Sequence, residues 1–326
     1  MDELEKLKRL SASIGNDPLL VQAAGGNTSI KDGAVMWIKA SGTWLGQAMQ
    51  RDIFVPVALD RLLDGLRRND SNAETCVAYI RSDLNALGLR PSIETTVHAL
   101  MPQKIVIHVH CVNTIAYAIR RDAEVVLRDK LKAFRWAFIP YAHPGRTLAH
   151  VISARIKPDT NILILGNHGL VVAANTVDEA ETLLRMVSAT LQRNVRSTRS
   201  VDRAELQRHA DNTYYRLASD DLTHAVATDP HILTMAGVGV FYPDHAVFLG
   251  RGIACNKSLS PPMLAIPGLG VLIKQDAKSA VEPMARCIAD VFLRVQPDDP
   301  IQSIDEENIQ RLIEWEAEIY RQNLKM

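Results

Sequence analysis

Two histidines separated by one residue stand in "KIVIHVHCVNT", residues 104–114. The run reads as a strand, and side chains at i and i+2 of a strand share a face. His108 and His110 therefore offer two imidazoles to one side, a common way for one rigid element to supply two metal ligands. His168 sits between glycines in "LILGNHGLVV", where the backbone is free to approach closely. Three imidazoles leave a coordination position open, the pattern of a catalytic metal site rather than a closed structural one. Taken singly, an HxH pair also fits a half-exposed strand face, and a histidine beside glycine also fits a turn.

Other polar clusters precede these histidines. "AAGGNTSI" holds Gly26 and Asn27, and "KASGTW" holds Ser41 and Gly42. Glycine-rich turns expose backbone N–H groups, and small hydroxyl or amide side chains add donors for phosphate oxygens. "RPSIETTVH" carries Ser92 and Glu94 just ahead of the HxH strand.

In order, GGN-T-S, a strand running to Ser-Gly, Pro-Ser-x-Glu, HxH and N-H-G resemble the class II aldolase/adducin family. The resemblance covers roughly residues 10 to 195 and points to the longer forms, similar to rhamnulose-1-phosphate and fuculose-1-phosphate type aldolases. It implies a divalent-metal triad of His108, His110 and His168, with zinc, or manganese or cobalt, as the ion. Glu94 would be the fourth ligand or the general acid/base, provided a low-dielectric pocket raises its pKa. Gly26, Asn27, Ser41, Gly42 and Ser92 would hold the anionic end of a sugar or sugar-phosphate substrate. The implied activity is carbon–carbon cleavage of a ketose, ketose phosphate or hydroxy-keto acid through a metal-stabilised enediolate. Relatives on the same fold are pentulose-phosphate 4-epimerases, sugar-acid-phosphate decarboxylases and dehydratases, and the triad does not separate them. Adducin-like relatives are non-catalytic interaction modules that lack the ligands. Homo-oligomers are implied, a tetramer before a dimer.

Some positions depart from that pattern. Ile93 stands where sugar-phosphate aldolases often carry a second serine. No tyrosine occurs in "RRDAEVVLRDK", where the family's aldolases place a proton donor that serves a neighbouring subunit; Tyr141, Tyr214, Tyr215 and Tyr242 are open substitutes. His98 follows Glu94 by one helical turn, where it is a polar helix residue or a group that orients Glu94 or touches the metal, and Asp244-His245 reads as turn-forming before it reads as a further pair of metal ligands. "PGLG" lacks the full dinucleotide fingerprint.

These residues need elements to position them. Helices are expected over residues 2–14, "VALDRLLDGLRR", "SIETTVHALM" with Ser92 as cap, "TIAYAIRRDAEVVLRDKL", "TLAHVISARI" and the stretch from Thr176, where Thr176 and Glu179 form a capping box. Strands are expected around Thr28–Ile30, Val35–Lys39, "IVIHVHCV" and on both sides of Gly-Asn-His-Gly. "STRSVDRAELQRHADN" reads as a connector. Beyond it come strands and loops, including "GVGVFYPDHAVFLG" and "MLAIPGLGVLIK", then terminal helices. The family resemblance implies a three-layer α/β/α sandwich on a mostly antiparallel sheet over residues 1–205, with a smaller α/β domain over 206–326.

The whole chain sets outer bounds. With 37 basic and 37 acidic residues among 326, it has no global charge reason to seek nucleic acid or an anionic membrane. No run of about 18 apolar residues suggests a membrane span. Four scattered cysteines and a charged start without an apolar run point to a cytoplasmic chain with free thiols.

Overall fold

The computed structural model describes residues 3–255 and 260–323. Its larger sheet contains β1 (Asn27–Asp32), β2 (Val35–Lys39), β3 (Phe54–Ala58), β4 (Ile105–Val109), β5 (Trp136–Ile139), β6 (Ile162–Leu165) and β7 (Gly169–Ala174). Their spatial order is β3-β2-β1-β4-β7-β6-β5. Only β5 and β6 run parallel; the other neighbours are antiparallel. Strand β4 lies centrally and is buried on both faces, which explains its continuous apolar run.

Helices cover both faces. In this first part they are α1 (Glu3–Gly15), α2 (Leu59–Arg67), α3 (Thr95–Leu100), α4 (Val112–Ala118), α5 (Ala123–Lys130), α6 (Arg146–Ser153) and α7 (Val177–Thr190). Ile105, Ile107 and Val109 pack with Leu7 and Leu10 of α1 and Leu184 of α7. Val106 packs on the other face with Val97 of α3 and Leu148 and Ile152 of α6. The period of two along β4 therefore sends His108 to the α3 side, after Val106.

The later part contains α8 (Arg203–Ala210), β8 (Tyr215–Leu217), α9 (Ala225–Thr228), α10 (Pro230–Ala236), α11 (Pro243–Leu249), β9 (Met263–Ile266), β10 (Gly270–Lys274), α12 (Val281–Arg294), α13 (Glu306–Glu314) and α14 (Glu316–Asn323). A small sheet has the order β8-β10-β9. One apolar cluster runs from Val112 and Ile115 of α4 into Phe292 and Ile288 of α12. The two parts thus share a core.

Several elements differ from the sequence expectation. "FVPVA" is strand β3; its proline is tolerated because β3 lies at the sheet edge. "WAFI" is likewise a strand, β5, not foreseen from the sequence. Ser92 does not cap α3. Its hydroxyl accepts from the Glu94 N–H at 3.3 Å, and its carbonyl from Thr95 at 3.1 Å, so a turn precedes the helix. The supposed connector contains α8, capped by Asp202, whose carboxylate accepts from the Glu205 N–H at 2.9 Å. "PDHAVFL" is helix α11, started by Pro243 and buried throughout, so burial in the core overrides its β-rich composition. The capping box on α7 forms as read.

Candidate metal centre and active site

Sheet register brings the chemistry to one end. Asn27 opens β1 opposite His108 near the end of β4, and His108 also faces Val171 of β7. The turn Gly166–Gly169 precedes β7 at the same end. His168 therefore arrives beside His108, although 60 residues separate them. His110 falls one residue past β4, yet joins the cluster. One nitrogen from each of His108, His110 and His168 lies within 4.8 Å of the others. The ring centroids are 5.0 Å, 5.0 Å and 5.4 Å apart.

These imidazoles are prepared to ligate. His108 Nδ1–H donates to the Leu170 carbonyl at 3.0 Å, which leaves the Nε2 lone pair free. That Nε2 is buried without a hydrogen-bond partner and lies 3.3 Å from Glu94 Oε2. His168 Nε2 lies 3.2 Å from Glu94 Oε1. Burial lowers His108 to a pKa of about 3 and His168 to about 4, against the pull of Glu94, so both are neutral near pH 7. The neutral His108 and His168 imidazoles, facing His110 beside a carboxylate, make a buried donor set that fits a divalent cation.

Glu94 departs from the expected raised pKa. Burial pushes its carboxyl up, but the His108, His168 and His110 side chains and the Asn27 amide outweigh it and hold it at about 2. It is a carboxylate, suited to bind a cation or accept a proton. Its geometry is set by a relay. Asn27 Nδ2 donates to Glu94 Oε2 at 2.8 Å and to Ser92 Oγ at 3.1 Å. Asn27 Oδ1 accepts from His98 Nε2, and Ser29 Oγ meets His98 Nδ1 at 2.7 Å. His98 thus supports Asn27 from behind, and Thr28 bonds Ser11 of α1 at 2.7 Å.

Gly26 has φ +62°, and a Cβ there would meet the His108 carbonyl at 3.0 Å. A Cβ on Gly25 would meet His110 Nδ1 at 2.8 Å and Asp244 Oδ2 at 3.1 Å. The turn is glycine because the histidine wall passes directly behind it. Gly26, Asn27, Ser41, Gly42, Ser92, Glu94, His110 and His168 all line one cleft. Ile93 lines it too, at the place of the family's second serine, and the Ser41 hydroxyl is buried there without a partner.

The sequence reading missed four residues of the same cleft: Lys39, Asp244, Glu318 and Arg321. Asp244 had been read as part of a turn. It opens α11, and its Oδ2 lies 3.3 Å from His110 Nδ1. Arg321 of α14 grips both Asp244 oxygens at 2.8 Å and meets Glu318 at 3.1 Å. Arg321 and His110 hold Asp244 well below the usual carboxylate range despite burial. Helix α14 is pinned elsewhere by Arg90, which lies 4.2 Å from the Tyr320 ring centroid and 3.0 Å from Glu316. The cavity volume within the cleft is about 20 Å³, enough for a water molecule. No sequence signal short of contact between distant segments would have assigned these residues.

The candidate tyrosines are elsewhere. Tyr214 is exposed, Tyr215 donates to the Pro261 carbonyl at 2.8 Å, and Tyr141 and Tyr242 pack outside the cleft. His245 is turned into the core, where its Nδ1 accepts from the Phe241 N–H at 3.3 Å.

A model of the class II aldolase and adducin N-terminal domain matches residues 13–195. The chain belongs to the class II aldolase and adducin family. It is 30% identical over 185 residues to YuxG of Bacillus subtilis, described as an uncharacterized oxidoreductase. That match covers 53% of this chain and 27% of YuxG, so the chain spans about a quarter of that relative's length. It is 24% identical over 179 residues to L-fuculose phosphate aldolase of Methanococcus maripaludis, covering 55% of this chain and 88% of that protein. The N-terminal class II aldolase domain of a conserved protein from Thermoplasma acidophilum superposes with a TM-score of 0.50 at 28% identity, covering 58% of this chain and 92% of that one. The mixed α/β fold on a mostly antiparallel sheet is that of class II aldolases. Asp244, Glu318 and Arg321 lie beyond the segment matched by the class II aldolase and adducin model.

Proposed function

We propose that this class II aldolase family member is a divalent-metal-dependent carbon–carbon lyase acting on a ketose, ketose phosphate or hydroxy-keto acid. The observation that carries this reading is the triad of buried imidazoles facing Glu94 beside a glycine turn. His108, His110 and His168 would hold the cation, with Glu94 as a further ligand or base. A bound divalent cation supplies Lewis-acid polarisation of a keto oxygen. Everything else falls to the chain itself. Asn27, held by His98, keeps Glu94 aimed, and the turn at Gly26 with Ser41, Gly42 and Ser92 receives the substrate's polar tail. Asp244 acts behind His110, turning the ring so that its other nitrogen faces the cation.

The cleft is narrow, and opening the Arg321–Asp244 contact with a shift of α14 would enlarge it for a sugar-sized molecule. Zinc, manganese or cobalt is the proposed ion, and a cytoplasmic homo-oligomer, tetramer before dimer, the proposed setting. The proposed division is a catalytic domain over 1–205 and a C-terminal domain over 206–326.

The test is protein purified without chelator, assayed for bound metal, then screened for aldehyde release from short ketoses, their phosphates and hydroxy-keto acids with added Zn, Mn and Co. Metal-dependent aldehyde release is the expected result. Protein that carries no stoichiometric metal and cleaves none of these favours a non-catalytic, adducin-like role. Epimer or carbon dioxide formation without aldehyde would move the reading to the epimerases or decarboxylases of the fold.

A further inference from the structure

Lys39 ends β2 and is fully buried, an uncommon place for an ammonium group. Its Nζ donates to the Ala24 carbonyl at 3.0 Å, in the residue just before the glycine turn. An ammonium carries three donors, so the bond to Ala24 leaves capacity on a side chain that lines the cleft with Glu94, Asp244 and Arg321. A second inward lysine shows the contrast. Lys31, on β1, is tied to two carbonyls, those of Met101 and Gln103, and does not line the cleft. Lys31 fastens a loop; Lys39 keeps its amine at the site.

We propose that Lys39 is the group that moves the substrate hydroxyl proton, a role for which no tyrosine of the same chain lines the cleft among the described residues. The proposal rests on the lyase reading above. In the cleavage direction the neutral amine takes the proton of the hydroxyl on the carbon being released. The O–H pair becomes the new C=O, the C–C bond breaks, and its electron pair passes to the keto fragment as an enediolate. The ammonium then returns the same proton to the enediolate carbon. One proton leaves oxygen and arrives on carbon, the amine is regenerated, and no co-reactant is consumed.

The electrostatics agree with this role. Burial lowers the Lys39 pKa to about 7, with Arg321 adding to the fall and Glu94 and Asp244 opposing it. Arg321 faces it from α14, Asp244 from α11 and Glu94 from the turn before α3; His98 of α3 is neutral, its pKa lowered to about 3 by burial. An amine near neutrality can both accept and return a proton at working pH.

The test uses the full-length, metal-loaded protein. Its first readout is solvent deuterium exchange into dihydroxyacetone, dihydroxyacetone phosphate and hydroxypyruvate, which reverses the last proton transfer. Lys39→Gln and Lys39→Arg are compared with wild type. Arginine keeps the charge and can bond Ala24, but it does not deprotonate. The expected result is a wild-type rate that rises through about pH 7. Both variants should lose about 10²- to 10⁴-fold with metal content unchanged. The second readout is NMR of ¹³C-labelled lysine, where a signal missing from Lys39→Arg should titrate near neutrality. Variants within a few-fold of wild type, rescue by arginine, or a signal that titrates with ordinary lysines would overturn the role of Lys39 alone. A metal-loaded wild type that exchanges none of the three ketones overturns the lyase reading and this role with it.

Discussion

One wall of the cleft comes from residues 24–168, the other from residues 243–321. The first is built around one carboxylate, Glu94, by imidazoles and an amide held by hydrogen bonds: His108 on Leu170, His98 on Asn27, Asn27 on Glu94. The second is built from charge, with Arg321 between Asp244 and Glu318. Sheet register fixes the first wall, whereas a helix docked from the far end of the chain fixes the second. The comparison suggests a division of labour: a rigid wall that receives the cation, and a wall whose ionic contacts can open to admit substrate.

The largest effect should follow from breaking the first wall. His108→Ala removes one imidazole and a single hydrogen bond to Leu170, so the fold should survive with a loss of about 1 kcal/mol. Stoichiometric divalent metal and lyase turnover should both disappear. Metal analysis after gel filtration checks this, and full metal retention would show that the cation, if any, is held elsewhere.

Next comes the second wall. Arg321→Met leaves Asp244 as a buried charge without its cation, a change that typically costs about 3–5 kcal/mol. Denaturant unfolding should show this loss. The pair Arg321→Met with Asp244→Leu should lose much less, since neither charge is stranded. If the single variant unfolds like wild type, the Arg321–Asp244 contact is not a latch that holds α14 to the site.

The two walls also differ in how far the sequence could reveal them. His108 and His110 were legible from the strand period, and His168, Glu94 and the glycine turn from the order of motifs in which the chain resembles its family. The strands around them were legible for the same reason. β3 was not, because Pro56 argues against a strand unless the edge position is known. Helix α11 was not, because "VFYPDHAVFL" has β-rich composition and only burial among α12 and α13 makes it helical. Asp244 and Arg321, 77 residues apart, meet only through that packing. Lys39 was seen as a strand residue and not as a site residue, because a lone lysine at a strand end is usually solvated. Glu94 was legible in position but not in charge: three imidazoles and an amide reverse the effect of its burial.

A smaller effect should come from the contact that joins the walls. Asp244→Asn combined with Arg321→Gln keeps the shapes and strands no charge, but it weakens the hold on His110. Removing a carboxylate behind a metal-bound histidine typically costs about 10- to 100-fold in metal affinity. Competition with a fluorescent chelator should show a shift in that range while His108→Ala loses binding altogether. Unchanged affinity would mean that Asp244 serves the latch alone.

The smallest effect lies in the pH dependence of the second wall. Burial raises the Glu318 carboxyl from its ordinary 4.5 to about 7, with Asp244 and Glu94 adding to the rise and Arg321 opposing it. The folded chain therefore holds a proton that the unfolded chain releases between these values. The stability this contributes is fully present below about pH 4.5 and is lost as pH rises through about 7. The slope cannot exceed about 1.4 kcal/mol per pH unit, the value for one proton. Glu318→Gln keeps the neutral form at every pH, so its stability relative to wild type should improve from about pH 5 to about pH 8. Urea midpoints across that range measure the difference. A constant offset between the two proteins would show that Glu318 is ionised throughout, so that the second wall carries two carboxylates on a single arginine.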